Sequence, residues 1–226
     1  MSGGRPGRHT QEATAMTVTD EIGSGVHRID IPSATEDPGA YVSALLNVAG
    51  DRDAFEELAL TPVRAARFCA DTPVRLLETA PEEGEWPAAG VVGHVFDVDI
   101  VYGFRWRLVI TEDDPTYPGY DEELWTPLPR LPFWQMLDAW TGLRASNVAL
   151  LRALPQKDWQ RTGRHGEQGG ETIEVMIRKV VGHDIAHLNQ IYRAVRAVRL
   201  SEGLDVSALD AAYDESGLAE AESGWH

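Results

Sequence analysis

Residues 171–200 place apolar side chains at one helical spacing from end to end, at Ile173, Met176, Ile177, Val180, Ile191, Ala194 and Val198. The same stripe carries His183 and His187, which stand four residues apart and so lie on one face about one turn from each other. A long amphipathic helix with imidazoles on its inward side needs neighbours that cover the stripe and satisfy the rings. That points to a helical bundle with a polar site inside it.

The rest of the chain supplies the neighbours. Tyr41, Leu45 and Val48 fit a short helix ending at Gly50, and a longer helical region runs over 52–79, where Pro62 and Pro73 leave either one kinked helix or two abutting pieces. A second long helix spans 87–110, with Pro87 in its first turn and a stripe of Val91, His94, Val98, Val101, Arg105 and Leu108. A third spans 133–154 with Trp134, Leu137, Trp140, Leu143, Val148 and Leu151 inward, and the fourth is 171–200. The fold class expected is all-α, a four-helix bundle. Between the second and third helices lies a connector over 111–132 that is rich in proline and aromatic residues. An antiparallel neighbour needs only a short loop, so this length implies a crossover between parallel helices and puts aromatic side chains where they can wall a pocket mouth. Residues 155–170 read as a polar loop. Residues 1–35 read as an extended or disordered arm and 201–226 as a solvated acidic tail, in which 206–213 has the pattern of a short helix; 36–200 is the bundle domain.

His94 falls on the stripe of the second helix. Three imidazoles on two facing helices, two of them at ligand spacing, are best explained by a shared metal ion held by His94, His183 and His187. Three nitrogen donors resemble a catalytic site with an open position, because structural sites are normally closed by four protein ligands. An all-nitrogen set suits zinc, nickel, iron or manganese. Asp97, one turn beyond His94, is a candidate to orient an imidazole, accept a proton or add a ligand, or else a surface carboxylate. Asp99 points away from that face, and Asp184 lies about 100° round the helix from His183 as a surface or interhelix charge. Gln190 is placed to support His187 across the bundle. Arg105 and Arg107 close the second helix, with heads reaching toward solvent or a carboxylate; they either bind a substrate carboxylate or cap the helix end. His165 sits in a glycine-rich loop, and His9, His27 and His226 lie outside the bundle.

Composition excludes other classes. A net charge of −16 argues against a nucleic-acid partner. No apolar run is long enough for a membrane span, and no signal-peptide core is present. The one cysteine, Cys69, permits no internal disulfide and fits a helix-packing role in a reducing compartment, so a cytoplasmic protein acting on a small molecule is expected.

Five motifs resemble the DinB-like superfamily. They are Asn47-Val48-Ala49-Gly50-Asp51-Arg52-Asp53; Trp86 before the second helix; Gly93-His94 followed by Asp97; Asp114-Pro115-Thr116-Tyr117-Pro118-Gly119-Tyr120-Asp121 with Trp125; and Gly182-His183-Asp184-Ile185-Ala186-His187-Leu188-Asn189-Gln190-Ile191. The likeness runs from Tyr41 to about Arg196. It implies a DinB-type four-helix bundle with a long crossover, His94, His183 and His187 as ligands of a divalent metal, and dimers as a common assembly. It also implies relatives that use bacillithiol or mycothiol as a low-molecular-weight thiol co-substrate. Trp86-Pro87 departs from the usual Trp-Ser or Trp-Thr step without touching the site. Three functions follow as expectations. The first is a thiol transferase or isomerase, with Asp97 and Arg105 as its catalytic candidates. The second is a metal-dependent hydrolase using water, and the third a non-catalytic metal-holding or interaction module.

Overall fold

The structure, a computed structural model, describes residues 26–219. Side-chain caps and prolines set the helix starts. Asp37 accepts from the Ala40 N–H and opens α1 (Pro38–Ala49); Asp53 accepts from the Phe55 and Glu56 N–H groups and opens α2 (Ala54–Cys69). Of the two prolines in the 52–79 region, Pro73 ends the helix, leaving α3 (Val74–Leu77) as a separate turn, whereas Pro62 is absorbed inside α2. Pro62 cannot donate to the Leu58 carbonyl, and Arg144 does so instead at 3.1 Å. Pro87 caps α4 (Ala88–Thr111). The connector then holds strand β1 (Thr116–Tyr117) and the turn α5 (Glu122–Trp125) before α6 (Phe133–Arg152).

The segment 155–170, expected as a polar loop, folds instead into a 3₁₀ turn (Gln156–Gln160) and a hairpin of β2 (Thr162–His165) and β3 (Gly169–Thr172), with Gly169 at φ +83° in its bend. β1 joins β2 in parallel, pairing Tyr117 with His165, so the sheet ties the connector to the start of α7 (Ile173–Ser201). The sheet is a small addition to an otherwise all-α molecule.

Helix α7 packs on α1, α2 and α4, and α6 closes the bundle against α2 and α4. Contacts fix the directions. Asp99 meets Trp140 and Gly103 lies against Asn147, so α4 and α6 run parallel, as the connector length implied. Phe68 meets Tyr192 and Leu58 shares Arg144 with Asp184, so α2 and α7 are also parallel. His94 opposite His183, and Lys179 beside Tyr102, make α4 and α7 antiparallel. α1 crosses α7 at Gly182, where an added Cβ would stand 1.9 Å from the Leu45 carbonyl oxygen.

A fully buried polar knot sits between these helices. Arg144 donates to both oxygens of Asp99, to both of Asp184 and to the Leu58 carbonyl, while the Trp140 indole donates to Asp99 at 2.6 Å. Asp99 is therefore wholly buried, not turned away to solvent, and Asp184 is an interhelix charge.

The acidic segment after residue 200, expected as solvated, is folded as far as it is described. Helix α8 (Ser207–Asp214) buries Leu209, Ala212 and Tyr213 against the bundle. Its acids are used in pairs: Asp210 with Arg196 and Tyr192, Glu215 with Arg67, and Glu202 with Arg75. The arm is extended over 26–33, turns over 34–36, and is docked. Val26 and Ile29 are buried, and Asn189 takes the Ile29 N–H at 3.4 Å and donates to the His27 carbonyl at 3.0 Å. The remaining parts of both terminal expectations, 1–25 and 220–226, lie outside the described residues.

Candidate metal centre

α4 and α7 bring His94, His183 and His187 together, with one nitrogen of each within 4.8 Å of the other two. The Nε2 atoms of His94 and His183 are 3.0 Å apart, and the ring centres stand 4.2 to 5.0 Å from one another. Donors about 2.0–2.1 Å from a tetrahedral zinc ion are separated by about 3.3 Å, so the His94–His183 pair is already near ligand spacing and His187 is within reach of it.

The outer nitrogens fix how the rings present themselves. His187 Nδ1 lies 2.8 Å from Gln190 Oε1, which only accepts, so the proton is on Nδ1 and the Nε2 lone pair is free. Gln190 thus takes the supporting place its spacing suggested. His94 Nδ1 faces the Tyr120 hydroxyl at 3.3 Å and Glu122 Oε2 at 3.6 Å. His183 Nδ1 is buried with no hydrogen-bond partner among the described residues. Such a ring is costly to bury unless its other nitrogen gains a strong bond, which a cation supplies.

Burial drives all three rings toward neutrality. The His94 pKa is pushed down to about 2 by desolvation, then by His187 and Arg130; that of His183 falls well below the ordinary value for the same first reason, then through His187 and His94; that of His187 is lowered by burial. Neutral imidazoles are the ligand form, so the donor set fits a divalent metal.

The trio opens on a cavity of about 860 Å³. The connector walls it with Tyr120, against which Trp125 packs at 5.1 Å between ring centres, and Trp86 stands edge-on to His94 at 5.4 Å. The docked arm forms part of the rim through Ile31 and Pro32.

Asp97 does not join the trio. Arg130 takes both of its oxygens, at 2.8 and 2.5 Å, and also donates to the Gly93 and Trp125 carbonyls. One turn along α4 from His94, it points toward α6 and the connector, so its catalytic assignment is corrected to that of a strut. The carboxylate placed beside His94 is Glu122, whose pKa is raised by burial and by Glu123 and Asp121. Arg105 reaches neither solvent nor a carboxylate; it is buried on the cavity wall, donating to the Pro118 carbonyl. Arg107 holds Gly103 and Asn147. His165, read as a loop residue, is buried on β2 at the same wall. Lys179 and Tyr102 were not recognised in the sequence. Lys179 stands four residues before His183, and that shared helical face was the one available signal.

A four-helix bundle with two parallel helix pairs and a tri-histidine cluster facing an internal cavity defines a helical protein with a site for a divalent metal. The DinB superfamily model matches residues 57–191, and the chain belongs to that superfamily. Among its relatives is a Bacillus mycoides protein named "Putative metal-dependent hydrolase", 31% identical over 138 residues, spanning 60% of this chain and 80% of the relative. A Bacillus cereus protein of the same name is 30% identical over the same shares. YfiT from Bacillus subtilis, described as a probable metal-dependent hydrolase with an unusual four-helix bundle topology, superposes with a TM-score of 0.59 at 24% identity. That superposition covers 67% of this chain and 87% of YfiT, and the likeness is one of fold.

Proposed function

We propose that this protein is a metal-dependent enzyme that activates a nucleophile for attack on a small electrophile at the His94–His183–His187 centre. The observation that carries the proposal is the convergence of three neutral imidazole nitrogens on the wall of a cavity large enough for a substrate. A divalent cation bound there supplies Lewis acidity, which lowers the pKa of a nucleophile at the position the protein leaves open. Gln190 holds the His187 tautomer, and Tyr120 with Glu122 holds His94 Nδ1. Glu122, exposed at the cavity edge beside His94, is the carboxylate suited to receive the proton that the nucleophile gives up. Trp86 and Tyr120 pack against the His94 ring.

Water as nucleophile makes the enzyme a hydrolase, the reading supported by the names its relatives carry. A low-molecular-weight thiol of the mycothiol or bacillithiol type makes it a transferase, and a cavity of about 860 Å³ leaves room for such a co-substrate. Cys69 offers no alternative nucleophile: it is buried, with its thiol pKa pushed up to about 12 by desolvation. The test starts from protein prepared without chelators or nickel resin. Metal content is measured for the wild type and His183→Ala, followed by turnover of activated esters and electrophiles with and without thiol. One equivalent of metal, lost in the variant together with activity, is expected. Full activity in metal-free protein would overturn the proposal, and dependence on thiol separates the two chemistries.

A further inference from the structure

Arg105 stands apart from the other buried cations. Arg144 has Asp99 and Asp184, Lys179 has Glu171, and Arg196 has Asp210. Arg105 is 4% exposed, and no ion pair within 4.0 Å includes it among the described residues. Its Nη2 donates to the Pro118 carbonyl at 2.7 Å, and its Cζ lies 5.2 Å and 5.1 Å from the Tyr102 and Tyr117 ring centres. The Tyr102 side chain also takes a hydrogen bond from Arg105, and a carbonyl, a tyrosine hydroxyl and ring faces solvate a guanidinium without cancelling its charge. The neighbouring acids are placed elsewhere: Glu171 Oε2 accepts from Lys179 at 2.6 Å and Oε1 from the Tyr117 hydroxyl at 2.8 Å, while Glu167, which lines the same wall, carries its carboxylate against Gly119. His165 adds a further donor. Its Nδ1 accepts from the Glu167 and Gln168 N–H groups at 3.2 and 3.3 Å, which puts the ring proton on Nε2.

Arg105, Lys179 and His165 line the same cavity as the histidine trio. Lys179 is one turn, about 6 Å of helix, from His183. Arg105 is three turns from His94, a span that its side chain, leaning toward the helix N-terminus, shortens to about 12 Å.

We propose that Arg105, flanked by Lys179 and His165, is the recognition subsite for a carboxylate of the substrate, carried about 6–12 Å from the atom that reacts at the histidine centre. The assignment rests on the metal-centre reading for what lies at the other end of the molecule. Arg105 has no counter-charge within ion-pair range on this wall, which a substrate carboxylate would supply, and the guanidinium fork suits its two oxygens. Arg105 acts here as a specificity determinant.

The experiment measures hexanoate binding by calorimetry to zinc-loaded and metal-free protein, with hexanamide and hexyl phosphate as comparisons and zinc affinity determined on the same samples. Hexanoate is expected to bind both forms and hexanamide neither. Arg105→Met is expected to bind hexanoate at least about tenfold more weakly while zinc affinity stays at the wild-type level. If circular dichroism shows Arg105→Met unfolded, Arg105→Lys carries the test, with an expected loss of about three- to tenfold because lysine keeps the charge without the fork. Equal binding of hexanoate and hexanamide, tighter binding of hexyl phosphate, or hexanoate affinity unchanged in the variant overturns the proposal. Intact zinc binding with no carboxylate binding refutes this subsite alone, and the converse refutes the metal centre alone.

Discussion

Gln190 offers a sharp test of the metal centre because its side-chain oxygen meets a ligand on the side away from the other two imidazoles. Its Oε1 takes the His187 Nδ1 proton at 2.8 Å, so Gln190→Leu removes the acceptor that fixes the tautomer and leaves the ring itself in place. Loss of such an outer partner weakens metal binding by about 10- to 100-fold. At free zinc equal to about 100 times the wild-type Kd, binding stabilises the native state by about 2.7 kcal/mol. At the same zinc concentration the variant retains about 0.4–1.4 kcal/mol. With about 2–4 °C of Tm per kcal/mol for a chain of this size, zinc raises the wild-type Tm by about 5–11 °C and that of the variant by about 1–6 °C. The assay is thermal unfolding of each protein in buffered zinc and in chelator, and Gln190→Glu, which keeps an acceptor, is expected to match or exceed the wild type. A zinc-induced shift in Gln190→Leu equal to that of the wild type would refute the reasoning, as would a shift lost equally in the leucine and glutamate variants.

Arg144→Met strands Asp99 and Asp184 in the core and is expected to destabilise the protein by about 3–5 kcal/mol in urea unfolding at neutral pH. Gly182→Ala drives a methyl group into the Leu45 carbonyl; a net loss of about 1–3 kcal/mol is expected despite alanine's better helix propensity, and a more stable variant would show that α1 is not held at that crossing. The buried histidines have folded pKa values below the unfolded value of about 6.5, so in metal-free protein their contribution is present above pH 6.5 and is lost as pH falls, by up to about 1.4 kcal/mol per pH unit for each ring. Urea titrations at pH 7.5, 6.0 and 5.0 check this, and His183→Gln should show a shallower decline. Asp97→Asn loosens the Arg130 strut, so amide exchange over residues 120–126 should quicken while zinc affinity falls less than about tenfold; a larger loss would return Asp97 to the site itself.

The parts of the molecule governed by periodicity were legible. The long helices, the parallel course of the second and third, and the meeting of His94 with His183 and His187 all follow from apolar stripes and one connector length. Features that depend on a partner far along the chain were not. Asp99 looks like a surface acid until Arg144, forty-five residues on, is placed against it. Asp97 was read toward the site and Glu122 was not read at all, because a carboxylate one turn from a ligand can face either of two neighbours, and only the path of the connector decides which acid stands beside His94. The hairpin over 162–172 has too few apolar residues to alternate and is held by a strand from the connector. The docking of the C-terminal segment, unlike its short helix, was hidden by its own charge, since acids that pair with Arg67, Arg75 and Arg196 resemble acids that face solvent.

The crossover is what turns a pair of histidine-bearing helices into a site. Helices α4 and α7, running antiparallel, are enough to assemble the trio. Because α6 runs parallel to α4, however, the chain must return along the length of the bundle before α6 can begin. On that return it sets the Pro118 carbonyl against Arg105, Tyr120 and Glu122 against His94, and Arg130 across Gly93 and Asp97. A tight turn after α4 would keep the metal ligands and lose the wall. The length of the connector, which in the sequence is only evidence for topology, is therefore also the source of the cavity's polar lining. Gly93 shows the fit required, because an added Cβ there would lie 2.9 Å from Arg130 Nε. The residue before the first ligand leaves room for the side chain that fastens the connector over it.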